Sequence, residues 1–193
     1  YFIYLGYNGK NFRGWQIQPN GMTVQQSIEE ALAILMRKPV PIVGAGRTDA
    51  GVHARLMIAH FDWEGPIEDL AFLAEKLNRL LPKDIAINEV YRARKGFSAR
   101  FDARSRTYTY RIADRDARPV LSRGAVWWHR YPLDVEAMSA ACPALLGEQD
   151  FKSFCKVASA VGKPTHRCVM RAEFGHEVAF GEDILTFTIE GNA

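Results

Sequence analysis

The sequence has no long run of apolar residues. None of its apolar stretches approaches the roughly 18 residues that a membrane-spanning helix needs. The first ten residues have neither the basic region nor the apolar region of a secretory signal peptide. We therefore expect a soluble, cytoplasmic protein. With 193 residues, 48% of them hydrophobic, the chain can form one large domain or two small ones.

Cysteine is scarce, and its spacing excludes two common uses. Cys142, Cys155 and Cys168 are odd in number and thirteen residues apart. This pattern fits neither a disulfide framework nor a paired-cysteine zinc site, so we expect reduced and mostly buried thiols. A metal site built on Asp49, His53 and His60 is also disfavoured. Gly51 argues against the helix that would align the first two, and His60 belongs to an alternating strand.

Several signatures of catalysis and nucleotide binding are missing. The glycines do not follow the Gly-x-Gly-x-x-Gly spacing of dinucleotide-binding proteins, and no Gly-Lys-Ser/Thr of a P-loop follows them. No serine lies in a Gly-x-Ser-x-Gly elbow. An aspartate remains as the candidate nucleophile or base.

That aspartate lies in an unusual stretch, residues 44–54, which we name the Asp49 loop. It reads GAGRTDAGVHA and places Asp49 among three glycines, two residues after Arg47. Glycine permits backbone conformations and close approaches that other residues resist, so the segment predicts a shaped loop. A glycine-rich turn in which Asp49 accepts hydrogen bonds from backbone amides is the alternative. We expect structural roles for His60, in an alternating strand, and for His53.

The positive charge is concentrated in one segment. The net charge of the chain is +3. Residues 92–123 contain ten Lys/Arg and three Asp, a net charge of +7, so the remaining residues carry a net charge of −4. Aromatic residues are interleaved with these cations, a pattern typical of nucleic-acid binding, although a solvated charged face is the simpler explanation. Residues 105–112 alternate strictly, which places Arg106, Tyr108, Tyr110 and Ile112 on one face of a strand. Trp15 belongs to a polar loop and either contacts RNA or folds back on the core.

Hydrophobic periodicity predicts alternating strands and helices. A capping box of Thr23 and Gln26 opens a helix that ends at residues 37–38, and a second helix is expected from about residue 67 to 81. Asp134 caps a third, which Pro143 should kink or shorten. Strands are predicted at residues 1–7, 40–43, 56–62, 85–90, 105–112 and 124–130, with a closing hairpin of 167–180 and 184–190. The pattern indicates an α+β protein with largely antiparallel sheet, divided near the polar turn at 114–119 into residues 1–113 and 114–193.

Residues 46–54, GRTDAGVHA, resemble the signature of the tRNA pseudouridine synthase A family. Further blocks resemble the family in the same order along the whole chain: 7–9, 12–16, 23–25, 77–85, 97–101, 106–110, 150–154 and 190–192. The resemblance implies two ferredoxin-like (RRM-like) α/β halves that meet at a central cleft. It also implies a cofactor-free isomerase that converts uridine to pseudouridine in the anticodon stem-loop of tRNA, at positions 38–40.

The resemblance further implies a role for each matching residue. Asp49 matches the catalytic aspartate, which attacks the base at C6 or assists its loss at C1′. Tyr108 matches the active-site tyrosine that stacks on the target base, and Arg47 the arginine that helps to extrude the uridine. Phosphate contacts are expected from four cations: Lys10, Arg13, Arg100 and Arg106. A homodimer that holds the tRNA across both subunits, without a metal, is also implied.

The chain departs from the family pattern in two places. Asn8 stands where the family usually has aspartate, which leaves the role of that side chain open. The family continues beyond Ala193 into a segment with a basic partner for the catalytic aspartate and a final helix. The chain is therefore expected to lack that segment and a few N-terminal residues. A non-catalytic RNA-binding module is the alternative function, and an aspartate-dependent hydrolase is a third.

Overall fold

The computed structural model describes residues 1–155, 162 and 164–192, which form two compact units, Tyr1–Ala103 and Arg104–Ala193. The division precedes residues 105–112, whereas the sequence pattern places the boundary after them, between residues 113 and 114. Each unit contains its own largely antiparallel sheet, so the predicted α+β class is confirmed. None of the helices in the described part of the chain is long and apolar enough to cross a membrane.

The first unit has the element order βαββαβ. Its strands are β1 (Phe2–Tyr7), β2 (Val43–Gly44), β3 (Ala54–His60) and β4 (Ile85–Tyr91). They lie side by side in the order β2-β3-β1-β4, with every neighbouring pair antiparallel. This is the ferredoxin-like arrangement, as expected. The strand predicted at residues 40–43 is shorter and later than expected, because it pairs with β3 at Val43 and Gly44 alone.

The two helices of this unit begin at or close to their predicted starts. Helix α1 (Val24–Met36) starts where the Thr23 hydroxyl accepts a hydrogen bond from Gln26 N. Helix α2 (Leu70–Leu80) starts after Asp69, whose carboxylate accepts from Phe72 N at 2.8 Å, rather than at residue 67. The sheet and both helices share one core, whose least exposed side chains include Ile3, Leu5, Ile28, Leu32 and Leu77.

The described residues of the second unit form a five-stranded sheet in the order β6-β5-β9-β8-β7. The strands are β5 (Ser105–Asp114), β6 (Trp127–His129), β7 (Gly147–Asp150), β8 (His166–Ala179) and β9 (Glu182–Asn192). The predicted hairpin is confirmed as β8 and β9. Because β9 lies between β5 and β8, this sheet differs from the ferredoxin-like order of the first unit.

Helix α3 (Val135–Ala141) begins at Asp134, whose carboxylate accepts from Ala137 N. It ends before Pro143, and a 3-10 turn over Cys142–Leu145 follows, so the predicted shortening is confirmed.

The expectation of mostly buried thiols is wrong for two cysteines. Cys142 is buried against the sheet, whereas Cys155 is exposed and Cys168 is half-buried. The spacing of the cysteines in the sequence does not indicate how deeply each side chain is buried.

Two cations of the basic segment form ion pairs within the second unit. Arg111 on β5 pairs with Glu177 on β8, and its second nitrogen lies 3.3 Å from the other carboxylate oxygen. Arg115 pairs with Glu182, which also accepts a hydrogen bond from the buried Ser122 hydroxyl. These hydrogen bonds lower the pKa of Glu182. The two arginines therefore help to hold the sheet together.

Candidate functional site

The Asp49 loop connects β2 to β3 and presents its charged side chains to solvent. Arg47 and Asp49 are exposed, while Thr48 between them is half-buried. Asp49 O accepts a hydrogen bond from Val52 N at 3.2 Å, which closes a turn over Ala50 and Gly51. The loop backbone therefore does form the glycine-rich turn that was the alternative prediction. The Asp49 carboxylate nevertheless remains accessible to solvent.

A second segment, residues 8–16, lies against the Asp49 loop, and we name it the brace segment. Trp15 N donates to Thr48 O at 3.0 Å, and Gly51 N donates to Phe12 O at 3.4 Å. These two hydrogen bonds hold the loop backbone on both sides of Asp49. A third contact, from Gly9 N to His53 Nδ1 at 3.1 Å, holds the end of the loop.

Glycine is required in both segments because their backbones approach closely. A Cβ on Gly9 would lie 2.0 Å from Val52 O, and one on Gly14 would lie 2.5 Å from Thr48 O. A Cβ on Gly44 would lie 2.6 Å from the Trp15 ring. Gly51 differs, since nothing lies within 4 Å of its added Cβ, but its φ of +83° favours glycine. The close approach expected at Gly44 is therefore made by the chain's own tryptophan.

Trp15 belongs to the core, since its side chain is 3% exposed and its ring lies 6.1 Å from that of Tyr7. Of the two interpretations of this residue, folding back on the core is the correct one. Lys10 and Arg13 of the brace segment are exposed. The structure therefore brings two of the predicted phosphate-binding cations to the same end of the sheet as Arg47 and Asp49.

The two histidines have the structural roles predicted for them. His53 Nδ1 accepts from Gly9 N, and His60 Nδ1 accepts from Ala99 N at 3.0 Å. In the described ranges no three His, Cys, Asp or Glu side chains lie close enough together to hold a metal ion. Asn8, whose role the sequence leaves open, caps the 3-10 turn that follows it by accepting from Lys10 N.

Arg100 lies away from this group. The neighbouring Ala99 is anchored to His60, at the end of β3 opposite to the Asp49 loop. Seven strand residues separate the two ends, a length of about 20 Å. The Arg100 guanidinium is 5.4 Å from the centre of the exposed Phe101 ring. Arg100 is therefore not a neighbour of Asp49 within the first unit.

Tyr108 and Arg106 belong to β5 of the second unit. Tyr108 is paired with Ile189 of β9 and is 42% exposed, and Tyr110 is paired with Phe187. The continuous ladder places Arg106, Tyr108 and Tyr110 on one face of the sheet, as the alternation predicts. The half-exposed Tyr108 ring can offer a face to a base.

Sequence reasoning missed one contact of this site. The hydroxyl of Tyr7, a buried residue at the end of β1, lies 2.8 Å from Thr48 Oγ1. A buried tyrosine hydroxyl needs a hydrogen-bonding partner, which was a signal that Tyr7 is tied to another segment. The identity of that partner, 41 residues away, could not be read from the pattern.

Comparison with known proteins assigns the chain to a family. Residues 4–102 match the family model described as tRNA pseudouridine synthase. The chain is 60% identical over its full length to the tRNA pseudouridine synthase A of Parabacteroides distasonis, of which it covers 73%. It is 45% identical to the enzyme of that name from Bacteroides fragilis, again over its full length, and covers 74% of that relative. By these matches, the chain belongs to the tRNA pseudouridine synthase family.

Proposed function

We propose that this protein isomerises uridine to pseudouridine in the anticodon stem-loop of tRNA, at positions 38–40. The observation that carries the proposal is the exposed Asp49 on a family-signature loop whose backbone is fixed on both sides. A fixed backbone limits the positions that the Asp49 carboxylate can occupy. A reaction at a single atom of the substrate requires such a restricted position. Family membership supplies the reaction class.

The reaction is redox-neutral and leaves the atoms of the base unchanged. The bond from ribose C1′ to N1 breaks, the base turns, and a bond from C1′ to C5 forms. C5 loses its proton and N1 gains one, so no group enters or leaves and no cofactor is needed. Asp49 supplies the carboxylate that attacks C6 or assists departure of the base from C1′.

The target nucleotide must leave the stem before Asp49 can reach it. Extrusion costs a few kcal/mol, which stacking and phosphate contacts recover. Arg47 is exposed two residues before Asp49, and we assign it to the displaced nucleotide. Lys10 and Arg13, exposed on the brace segment, bind the flanking phosphates.

We assign the ring of Tyr108 to stacking on the extruded base, which its 42% exposure allows. Arg106 precedes it on the same face of β5, and we assign it to the RNA backbone. Arg100 also binds backbone phosphate, at the far end of the first sheet. Phosphate contacts position the RNA without reading its sequence, which suits an enzyme that accepts neighbouring uridines in many tRNAs.

The proposal is tested with tRNA that carries tritium at uridine C5. The full-length protein should release tritium to water, because C5 exchanges its proton for a bond to C1′. Primer extension after carbodiimide modification should locate the pseudouridines at positions 38–40. Binding of tRNA without tritium release would instead identify a non-catalytic RNA-binding module.

We also propose that the protein acts in the cytoplasm as a homodimer, with the tRNA held across both subunits. The resemblance of residues 46–54 to the family signature is what implies this assembly. Light scattering on the full-length protein at working concentration should give twice the monomer mass. A monomer that retains full activity would contradict the cross-subunit arrangement.

A further inference from the structure

A cavity lies at the end of the first sheet where β1 begins and where β3 and β4 end. We name it the Trp63 cavity. Its volume is about 430 Å³, within the range of small-ligand sites. Its lining includes an aromatic wall and a group of cations: Tyr1, His60, Trp63, Arg92, Arg94 and Lys95.

The aromatic wall is held in place by the core of the unit. Trp63 is half-buried and packs against the core, and the Lys38 ammonium lies 4.2 Å from the centre of its ring. The Tyr1 phenol donates to Gly65 O at 3.2 Å and accepts from Ile67 N at 2.8 Å. These contacts fix the loop that carries Trp63, so one side of the cavity is preformed.

The cationic side is carried by the segment that follows β4. Arg92, Arg94 and Lys95 are exposed there. The segment is anchored by Ala99 N, which donates to His60 Nδ1, and by the Phe97 ring, which packs edge-on against Phe2 at 4.9 Å. The cations therefore project from a fixed backbone.

The three cations Arg92, Arg94 and Lys95 of the Trp63 cavity form no ion pair with another described residue. Within the described part of the chain, none of the three has a carboxylate within 4.0 Å. The lining also contains one carboxylate, that of Asp62. The three cationic side chains therefore outnumber the acidic side chains of the lining by two. An arginine-rich site of this kind favours a ligand with a phosphate group, which guanidinium groups bind in a bidentate manner.

The Trp63 cavity is remote from the Asp49 loop. Strands β1 and β3 run from one to the other, and the seven residues of β3 span about 20 Å. The β1–β3 register places His60 opposite Phe2 and Ala54 opposite Tyr7, so the two sites lie at opposite ends of the same pair of strands. A ligand that occupies both sites must be a polyanion at least as long as the sheet.

We propose that the Trp63 cavity is a second RNA-binding site, which holds a backbone phosphate of the tRNA remote from the reacting uridine. Arg92 and Arg94 bind the phosphate, and the Trp63 wall packs against the attached nucleotide. This inference rests on the proposed function, because tRNA is the ligand that reaches both ends of the sheet.

The test compares two double variants of the full-length protein. One variant, R92Q with R94Q, removes two cations from the Trp63 cavity. The other, K76Q with R79Q on α2, removes the same charge elsewhere in the unit. Affinity for tRNA is measured by filter binding between low and physiological salt. The cavity variant should bind about tenfold more weakly, and its plot of log K against log salt should be less steep by about 0.9, the contribution of one phosphate contact.

The α2 variant should bind within about twofold of the unchanged protein, and W63A should weaken binding at an unchanged salt slope. Equal affinities and slopes for the two double variants would overturn the inference. So would competition by polyglutamate as strong as that by tRNA, which would identify an acidic protein as the ligand. Failure of the proposed function appears separately, as a lack of tritium release by the unchanged protein.

Discussion

The hydroxyl groups of Tyr7 and Thr48 lie 2.8 Å apart, and this hydrogen bond joins the end of β1 to the residue before Asp49. Tyr7 is 5% exposed and its ring belongs to the core. The core is thereby connected to the residue that precedes the candidate catalytic aspartate. We infer that Tyr7 and Thr48 are positioning residues, which act through the Asp49 loop.

Removing this hydrogen bond should lower both stability and activity. Y7F and T48V should each lower the free energy of unfolding by about 1 kcal/mol. The rate of tritium release at saturating tRNA should fall severalfold. T48S keeps a hydroxyl and serves as the matched control, with a rate close to that of the unchanged protein. Urea unfolding of the double variant should show coupling of at least about 0.5 kcal/mol, and strictly additive effects would argue against the contact.

The hydrogen bond from Gly9 N to His53 predicts a graded response at position 53. H53N retains an acceptor near the position of Nδ1, whereas H53L leaves Gly9 N without this acceptor. The leucine variant should therefore be less stable than the asparagine variant by about 1 kcal/mol. Thermal unfolding and tritium release measured on both variants check this order. If both lose equal stability, the imidazole contributes through packing instead.

Much of the fold follows from local sequence signals, since Thr23 with Gln26 marks the start of α1 and Pro143 limits α3. The insertion of β9 between β5 and β8 could not be predicted, because alternation defines a strand but not its neighbours. In the candidate site, too, local features can be predicted from the sequence and long-range contacts cannot. The Asp49 loop is visible in the sequence, while its contacts with the brace segment join residues more than 30 positions apart.

The positions of the cations in the sequence likewise do not show which of them form ion pairs within the protein and which line a candidate binding site. Arg111 and Arg115 read as part of an RNA-binding surface, but the sheet pairs them with Glu177 and Glu182. Arg92 and Arg94 belong to the same basic segment and line the Trp63 cavity. The difference arises from strand register and loop anchoring, which are tertiary properties.

The close approach at Gly9 gives a prediction about packing. In G9A the added Cβ would lie 2.0 Å from Val52 O, so the brace segment or the Asp49 loop must move. We expect a loss of about 1–3 kcal/mol in the free energy of unfolding, together with slower tritium release. G147A is the control: its φ is +91° with nothing within 4 Å of the added Cβ, so it should cost stability without affecting activity. Full activity of G9A would show that the loop tolerates displacement.

The lowered pKa of Glu182 predicts a pH dependence of stability in the second unit. Hydrogen bonds from Ser122 and Arg115 favour the ionised carboxylate in the folded state. The resulting stabilisation is fully present above the ordinary glutamate pKa of 4.5 and is lost as the pH falls through the lower folded value. Thermal unfolding of E182Q should therefore depend less on pH in the acidic range. E148Q, at an exposed position on β7, is the control. Equal acid sensitivity of E182Q and the unchanged protein would contradict this role.

The most direct test concerns the Asp49 carboxylate. Tritium release from C5-labelled tRNA is measured under single-turnover conditions for the full-length protein, for D49N and for D116N, an exposed aspartate in the second unit. D49N should bind tRNA with little change and release no tritium above background, whereas D116N should match the unchanged protein. Release by D49N at a rate near that of the unchanged protein would contradict the assignment of Asp49 as the catalytic residue.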